Sequence, residues 1–202
     1  MSEIARDLDS ELLSVSRAYV GLPPEKRKVF RSRLAERGVA RASLPIVPFP
    51  GQSGRFPLSH AQERLWFLWR LEPLSASYNI TGAVQLDGTL DTDAVRAAVQ
   101  AVCARHESLR KRFEEHDGVA WQIVGETRYD WQQCELDPDA EASIKPLLRD
   151  LSLRPFDLTR DALLRVTLVR LAPDSHVLHF AMHHIVSDAW SLELLTQEFA
   201  QA

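Results

Sequence analysis

An alternating run that ends in two adjacent histidines constrains this chain more than any other feature. Residues 163–171 and 176–183 alternate on either side of Ala172-Pro173-Asp174-Ser175, a pattern that predicts a β-hairpin. The second arm passes into Met182-His183-His184-Ile185-Val186-Ser187-Asp188-Ala189-Trp190-Ser191, and residues 190–199 then read as a helix with an apolar face. Two imidazoles and a carboxylate therefore fall at a strand-to-helix turn, the kind of place where α/β scaffolds expose catalytic groups. Successive strand residues point to opposite faces, so only one of His183 and His184 can face a given cleft. Taken alone, the stretch favours a plain explanation: a core histidine and an aspartate, Asp188, that caps the helix. The alternative is a catalytic imidazole, with Asp188 fixing either the ring or the turn.

The whole chain narrows the setting. At 202 residues it suits one well-packed domain with an extra segment. A formal net charge of −4 gives no electrostatic case for nucleic acid or an anionic membrane as the main partner. The basic clusters Lys26-Arg27-Lys28 and Arg110-Lys111-Arg112 are short and read as solvated ends of elements. The two cysteines, Cys103 and Cys134, have neither metal-ligand spacing nor the makings of a disulfide framework, which points to the cytoplasm. Cys103 falls on the apolar stripe of a helix and is expected in the core. The N-terminus lacks the apolar core of a signal peptide, and no run is long enough to span a bilayer.

Along the chain, residues 1–40 read as two charged helices broken at Gly21-Leu22-Pro23-Pro24, the second with a proline start, an early acid and a terminal Gly38. Residues 44–55 are a Pro/Gly-rich connector, so residues 1–48 are expected as a helical appendage and linker and residues 49–202 as the main domain. Ser59 followed by Gln62 forms a capping box at the head of a helix. Residues 78–86 alternate as a strand, and residues 90–107 form the clearest helix, with Val95, Ala98, Val99, Val102, Cys103 and His106 down one face. Residues 109–113 and 120–124 are strands about the turn Glu115-His116-Asp117-Gly118. Residues 140–151 are expected to be helical around Pro146, and residues 154–158 extended, because Pro155 biases Arg154 away from helix. The implied architecture is an α/β layered domain with an antiparallel or mixed sheet.

Several separated stretches together resemble the condensation domains of nonribosomal peptide synthetases. Ser59-His60-Ala61-Gln62-Glu63-Arg64-Leu65-Trp66-Phe67-Leu68 is similar to that family's first core motif, and Arg105-His106-Glu107-Ser108-Leu109-Arg110-Lys111-Arg112-Phe113 to its second. His183, His184 and Asp188 match its His-His-x-x-x-Asp-Gly signature, with Ala189 where the signature has glycine. Pro155-Phe156-Asp157-Leu158, followed by Leu163-Leu164-Arg165, is a further recurring feature of such domains. Order and spacing agree over residues 56–202.

The resemblance implies a chloramphenicol-acetyltransferase-like fold, of which this chain would be the N-terminal lobe, with the C-terminal lobe beyond it. It implies peptide-bond formation between a thioester donor and an aminoacyl acceptor, each carried on the phosphopantetheine arm of a carrier domain, with no cofactor held by the lobe itself. His184 is then the catalytic histidine, His183 its buried support, and Asp188 a structural residue paired with Arg64. Arg64, Ala189 and Trp190 are expected to give the site structural support; Trp190-Ser191 continues the motif beyond Ala189, and a helical backbone at Ala189 would tolerate the missing glycine. A lone lobe is expected to be inactive and to expose an apolar surface. Heterocyclisation domains carry aspartates where His183 and His184 stand, and so fit less well. An epimerisation-type domain, another acyltransferase of the superfamily and a non-catalytic docking module are the alternatives. A metal site at His183, His184 and Asp188 is not expected, since adjacent strand histidines diverge.

Overall fold

Strand alternation and helix caps explain most of the architecture. The computed structural model describes residues 3–47, 54–136, 144–199 and 201, and divides into two compact units, Met1–Ser53 and Gly54–Ala202. Residues 48–53 of the expected connector and residues 140–143 of the expected fifth helix lie outside the described residues.

The first unit holds α1 (Glu3–Gly21), α2 (Pro24–Glu36) and a 3₁₀ turn, Arg41–Ser43. Proline at the start of α2 costs no intrahelical bond. The helix is closed by Gly38, two residues past its end, whose φ of +73° suits glycine. Two closing bonds, Gly38 N to Ala35 O at 3.0 Å and Val39 N to Leu34 O at 3.0 Å, make a Schellman motif. The Arg27 guanidinium turns back and donates to Val20 O and Leu22 O, both at 2.8 Å, covering the carbonyl end of α1 with positive charge.

The second unit runs β1 (Arg55–Pro57), α3 (His60–Leu71), β2 (Asn79–Asp87), α4 (Thr92–Arg105), a 3₁₀ turn (Glu107–Arg110), β3 (Lys111–His116) and β4 (Val119–Val124). It continues with β5 (Asp130–Glu135), α5 (Ile144–Leu153), β6 (Leu164–Ala172), β7 (Ser175–His183) and α6 (Ala189–Phe199). One sheet has the order β1-β4-β3 and the other β2-β7-β6-β5. All pairs are antiparallel except β5 with β6.

The expected hairpin is β6–β7, with Leu168 opposite Leu178 and Leu164 opposite Met182. Its alternate residues feed two cores. Leu164, Val166, Leu168, Leu178 and Met182 pack with Val95, Val99, Val102 and Cys103 of α4. The other face offers Ala181 to Trp66, Phe113, Phe156, Leu158 and Leu163, joined by Ile185 and Val186 from the turn after β7. Ser59 accepts from Gln62 N while Gln62 takes the Ser59 N–H, so the capping box forms as its spacing predicts. Asp91 caps α4 by accepting from Asp93 N and Ala94 N. Asp117 (φ 52°) and Gly118 (φ 75°) make the tight turn of the β3–β4 hairpin.

Some boundaries differ from the pattern. Residues 107–110 form a 3₁₀ turn, which inserts Leu109 into the core at 1% exposure before β3 begins. β5 carries no clear alternation, and its parallel register on β6, Asp130 opposite Arg165, holds it at the sheet edge. Edge strands are specified by pairing more than by their own sequence.

A β-carbon on Gly82 would lie 2.3 Å from Phe180 Cζ, whose ring covers the glycine from the paired strand. Gly82→Ala should therefore displace Phe180 and destabilise the domain by about 1–3 kcal/mol. Chemical denaturation would register this as a lower midpoint, partly recovered when Phe180→Leu makes room.

Candidate active site

β7 delivers its last residue, His183, to the interior and the next, His184, to the surface. His183 is 3% exposed, packed against the Phe156 ring edge-on at 6.3 Å and the Tyr78 ring at 6.4 Å. Its Nδ1 accepts from Ile185 N at 3.1 Å, so the neutral ring carries its proton on Nε2. Burial first, and then the neighbouring His184, lower its pKa to about 4. It is a neutral structural imidazole.

His184 has the opposite arrangement. Its backbone N–H donates to Tyr78 O at 2.9 Å, and its side chain is exposed. Ring Nδ1 lies 2.7 Å from Ser187 O. A carbonyl can only accept, so Nδ1 holds the proton and the neutral ring keeps its lone pair on Nε2. An oriented, accessible Nε2 can take a proton from a reacting amine or hydroxyl. No sequence signal marks this orienting group, because it is a backbone carbonyl.

Asp188 does not pair with Arg64. Its Oδ1 accepts from Ser191 N at 2.8 Å and from Ser191 Oγ at 2.6 Å, which makes it the N-cap of α6. These bonds, led by the Ser191 hydroxyl, lower its pKa. Arg64 is exposed on α3, and no ion pair joins it to Asp188 among the described residues. The plain capping explanation thus holds for Asp188, since the cap is satisfied locally and leaves the carboxylate in water. Trp190, expected to support the site, is 80% exposed and adds little packing. Ala189 is the first residue of α6, where a helical backbone suits alanine better than glycine.

Gln62, rather than Arg64, connects the first motif to the histidine turn. Its Nε2 donates to Ile185 O and to Gln122 Oε1, both at 3.3 Å, and Gln122 Nε2 donates to Pro57 O at 2.7 Å. A second connection is Arg165, 7% exposed on β6. It donates to Arg154 O and Pro155 O at 2.8 Å, meets Asp161 Oδ2 at 2.7 Å and lies 3.7 Å from the centre of the Phe156 ring. Trp69 Nε1 donates to Phe156 O at 2.9 Å, closing the loop onto α3. The second motif reaches the far end of α6, where His106 Nε2 sits 2.7 Å and Arg105 3.5 Å from the Glu198 carboxylate.

The other candidates are quiet. Cys103 is buried, its thiol pushed up to about 12 by desolvation, as an inert core residue. Among the described residues no group of three or more His, Cys, Asp or Glu side chains could hold a metal ion. Between α4, α6 and the larger sheet lies an apolar cavity of about 300 Å³, lined by Val84, Val102, Leu164, Phe180, Leu192 and Leu195 among others.

Comparison with known proteins decides what this arrangement belongs to. The family model described as the condensation domain matches residues 52–202. The chain belongs to the condensation-domain family. It is 40% identical over 173 residues to a component of the linear gramicidin synthase of Brevibacillus parabrevis, covering 83% of this chain and 2% of that protein. To the bassianolide nonribosomal cyclodepsipeptide synthetase of Beauveria bassiana it is 39% identical over 164 residues, 81% of this chain and 5% of that one. The starter condensation domain of rhizomide synthetase RzmA superposes with a TM-score of 0.67 at 28% identity, over 73% of this chain and 37% of that chain. The fold is accordingly the chloramphenicol-acetyltransferase-like α/β sandwich of this family. The chain spans only a few per cent of the length of its curated relatives.

Two measurements check the site. An unfolded histidine titrates near 6.5 and His183 near 4, so between those values the unfolded chain binds more protons. Stability should therefore rise with pH across that window, His183 contributing on the order of 3 kcal/mol, and flatten above it. His183→Asn keeps an acceptor for Ile185 N–H and should remove that share of the slope. His179, also lowered by burial, is common to both proteins and leaves the difference to His183. For the cap, Asp188→Ala should lower the melting temperature and Asp188→Ser should restore it. Arg64→Ala should be neutral and additive with either in a double-mutant cycle.

Proposed function

We propose that residues 54–202 act as the first lobe of a condensation domain that forms peptide bonds in a nonribosomal peptide synthetase. The observation that carries the reading is His184: its Nδ1–H is tied to Ser187 O, and its Nε2, on an exposed side chain after β7, meets no partner among the described residues. In this reading His184 is the catalytic residue, His183 its buried support and Asp188 the cap that fixes the turn. A second lobe completes the site, and two carrier domains present donor and acceptor on phosphopantetheine arms. The lobe holds no cofactor of its own.

The acceptor amine attacks the donor thioester carbonyl, forming the C–N bond. His184 Nε2 takes the proton that the nitrogen sheds, the C–S bond breaks, and the departing sulfur leaves as the pantetheine thiol once protonated. The lengthened chain stays on the acceptor arm. This lobe alone provides one wall of such a site, so by itself it forms no peptide bond. Both cysteines are free, and among the described residues no helix is long and apolar enough to cross a membrane; both fit a cytoplasmic enzyme.

The test is single-turnover condensation by the complete synthetase with loaded donor and acceptor carriers. His184→Ala should lower the rate by roughly 10²–10⁴-fold. Undiminished turnover in that variant would remove the catalytic assignment. Racemised donor without a new amide in the wild type would favour the epimerisation alternative.

A further inference from the structure

We infer that Gln62 is a positioning residue for His184, acting through the Ile185 carbonyl. The inference rests on the catalytic reading of His184 above, and extends it to a side chain 123 residues away from the turn in sequence.

The Gln62 amide is fully committed. Its Oε1 accepts from Ser59 N at 3.0 Å, and its Nε2 donates to Ile185 O and Gln122 Oε1, each at 3.3 Å. One acceptor atom meets a donor and two N–H groups meet two oxygens, so only this orientation of the amide satisfies every partner. Gln122 is 9% exposed and anchored in turn to Pro57 O at 2.7 Å. The head of α3, the smaller sheet and the turn after β7 therefore share one polar junction.

Ile185 is held at both ends of its own backbone. Its N–H goes to His183 Nδ1 and its carbonyl receives Gln62, while its side chain is 3% exposed in the core. His184 precedes it, with its own N–H on Tyr78 O and its ring on Ser187 O. Freeing the Ile185 carbonyl removes one of two holds on the peptide plane that leads to Ser187, the other being Val186 N donating to His183 O at 3.1 Å, and so loosens the frame on which the His184–Ser187 contact is built. A shift of about 1 Å in a reacting group costs on the order of a hundredfold in rate.

Capping and positioning make different demands on residue 62. The capping box needs only an acceptor for Ser59 N, and glutamate supplies it as well as glutamine. The junction needs N–H donors, and an ionised carboxylate would set oxygen against the oxygens of Ile185 and Gln122. Gln62→Glu is therefore the discriminating substitution, with Gln62→Ala alongside.

The first readout uses the 202-residue chain. The side-chain NMR signals of His184 should move in both variants while those of α4 and β6 stay at their wild-type positions. In the wild type, the two Gln62 amide protons should be protected from solvent exchange. The second readout is the complete synthetase, where Gln62→Glu should lower kcat by roughly 10–100-fold with KM within about threefold, and no better than Gln62→Ala. His184 signals unmoved in Gln62→Glu, or Gln62 amide protons exchanging freely in the wild type, would overturn the proposal. Should His184→Ala itself leave turnover intact, the catalytic reading fails separately, since the NMR arm does not depend on activity.

Discussion

The buried guanidinium of Arg165 is the interaction on which the site depends. A charge inside a protein is costly unless its donors are met, and here they are: two carbonyls of the residue 154–156 loop and the Asp161 carboxylate. The cation lies over the Phe156 ring, which in turn meets the His183 ring in a T-shaped contact. Trp69 then takes the Phe156 carbonyl. A single cation thus joins β6, the loop before it, α3 and the histidine strand, which explains why short motifs so far apart in the chain describe one place. Removing it would strip the Pro155 carbonyl of its donor and the Phe156 face of its cation, while Arg154 O would keep Asn79 Nδ2 and Asp161 would keep Asp157 N.

Adjacent histidines on one strand end face different media, and the division of roles follows from that alone. The pleat sends His183 inward, where desolvation keeps it neutral, and its acceptor Nδ1 stitches the next peptide. His184 leaves the strand and meets a carbonyl three residues on, so its Nδ1 must donate. The two rings hold opposite tautomers through ordinary backbone groups, and among the described residues no carboxylate is hydrogen-bonded to either ring in the manner of a serine-protease triad. Asp188 is instead spent on the helix that follows, fixing where the turn stops.

The parts of the fold that sequence makes legible are those with strong local rules. The β6–β7 hairpin, the capping box at Ser59 and Gln62, the Asp91 cap and the face of α4 all follow from periodicity and cap chemistry. β5 is not legible, because an edge strand without alternation is defined by the neighbour it pairs with. His184 and His183 are marked by the motif, and their separation into exposed and buried follows from strand geometry. The supports are another matter. Arg64 carries the charge that would attract Asp188, yet it lies on the exposed side of α3, while Gln62, two residues earlier, faces inward. Charge complementarity suggests partners only when the helix phase allows contact.

That contrast shows why the capping box is more than a helix signal here. A glutamine at the third helical position has one oxygen for the cap and two hydrogens left over. Had α3 been isolated, those hydrogens would have gone to water, and glutamate would have served equally. Packed against β4 and the turn after β7, they are desolvated and must find acceptors, and the available ones are Gln122 and the Ile185 carbonyl. The choice of amide over carboxylate at residue 62 is therefore dictated by tertiary structure, although the position itself is dictated by the helix start. One side chain satisfies a local rule with one atom and a global one with another, and it links the order of α3 to the geometry around His184.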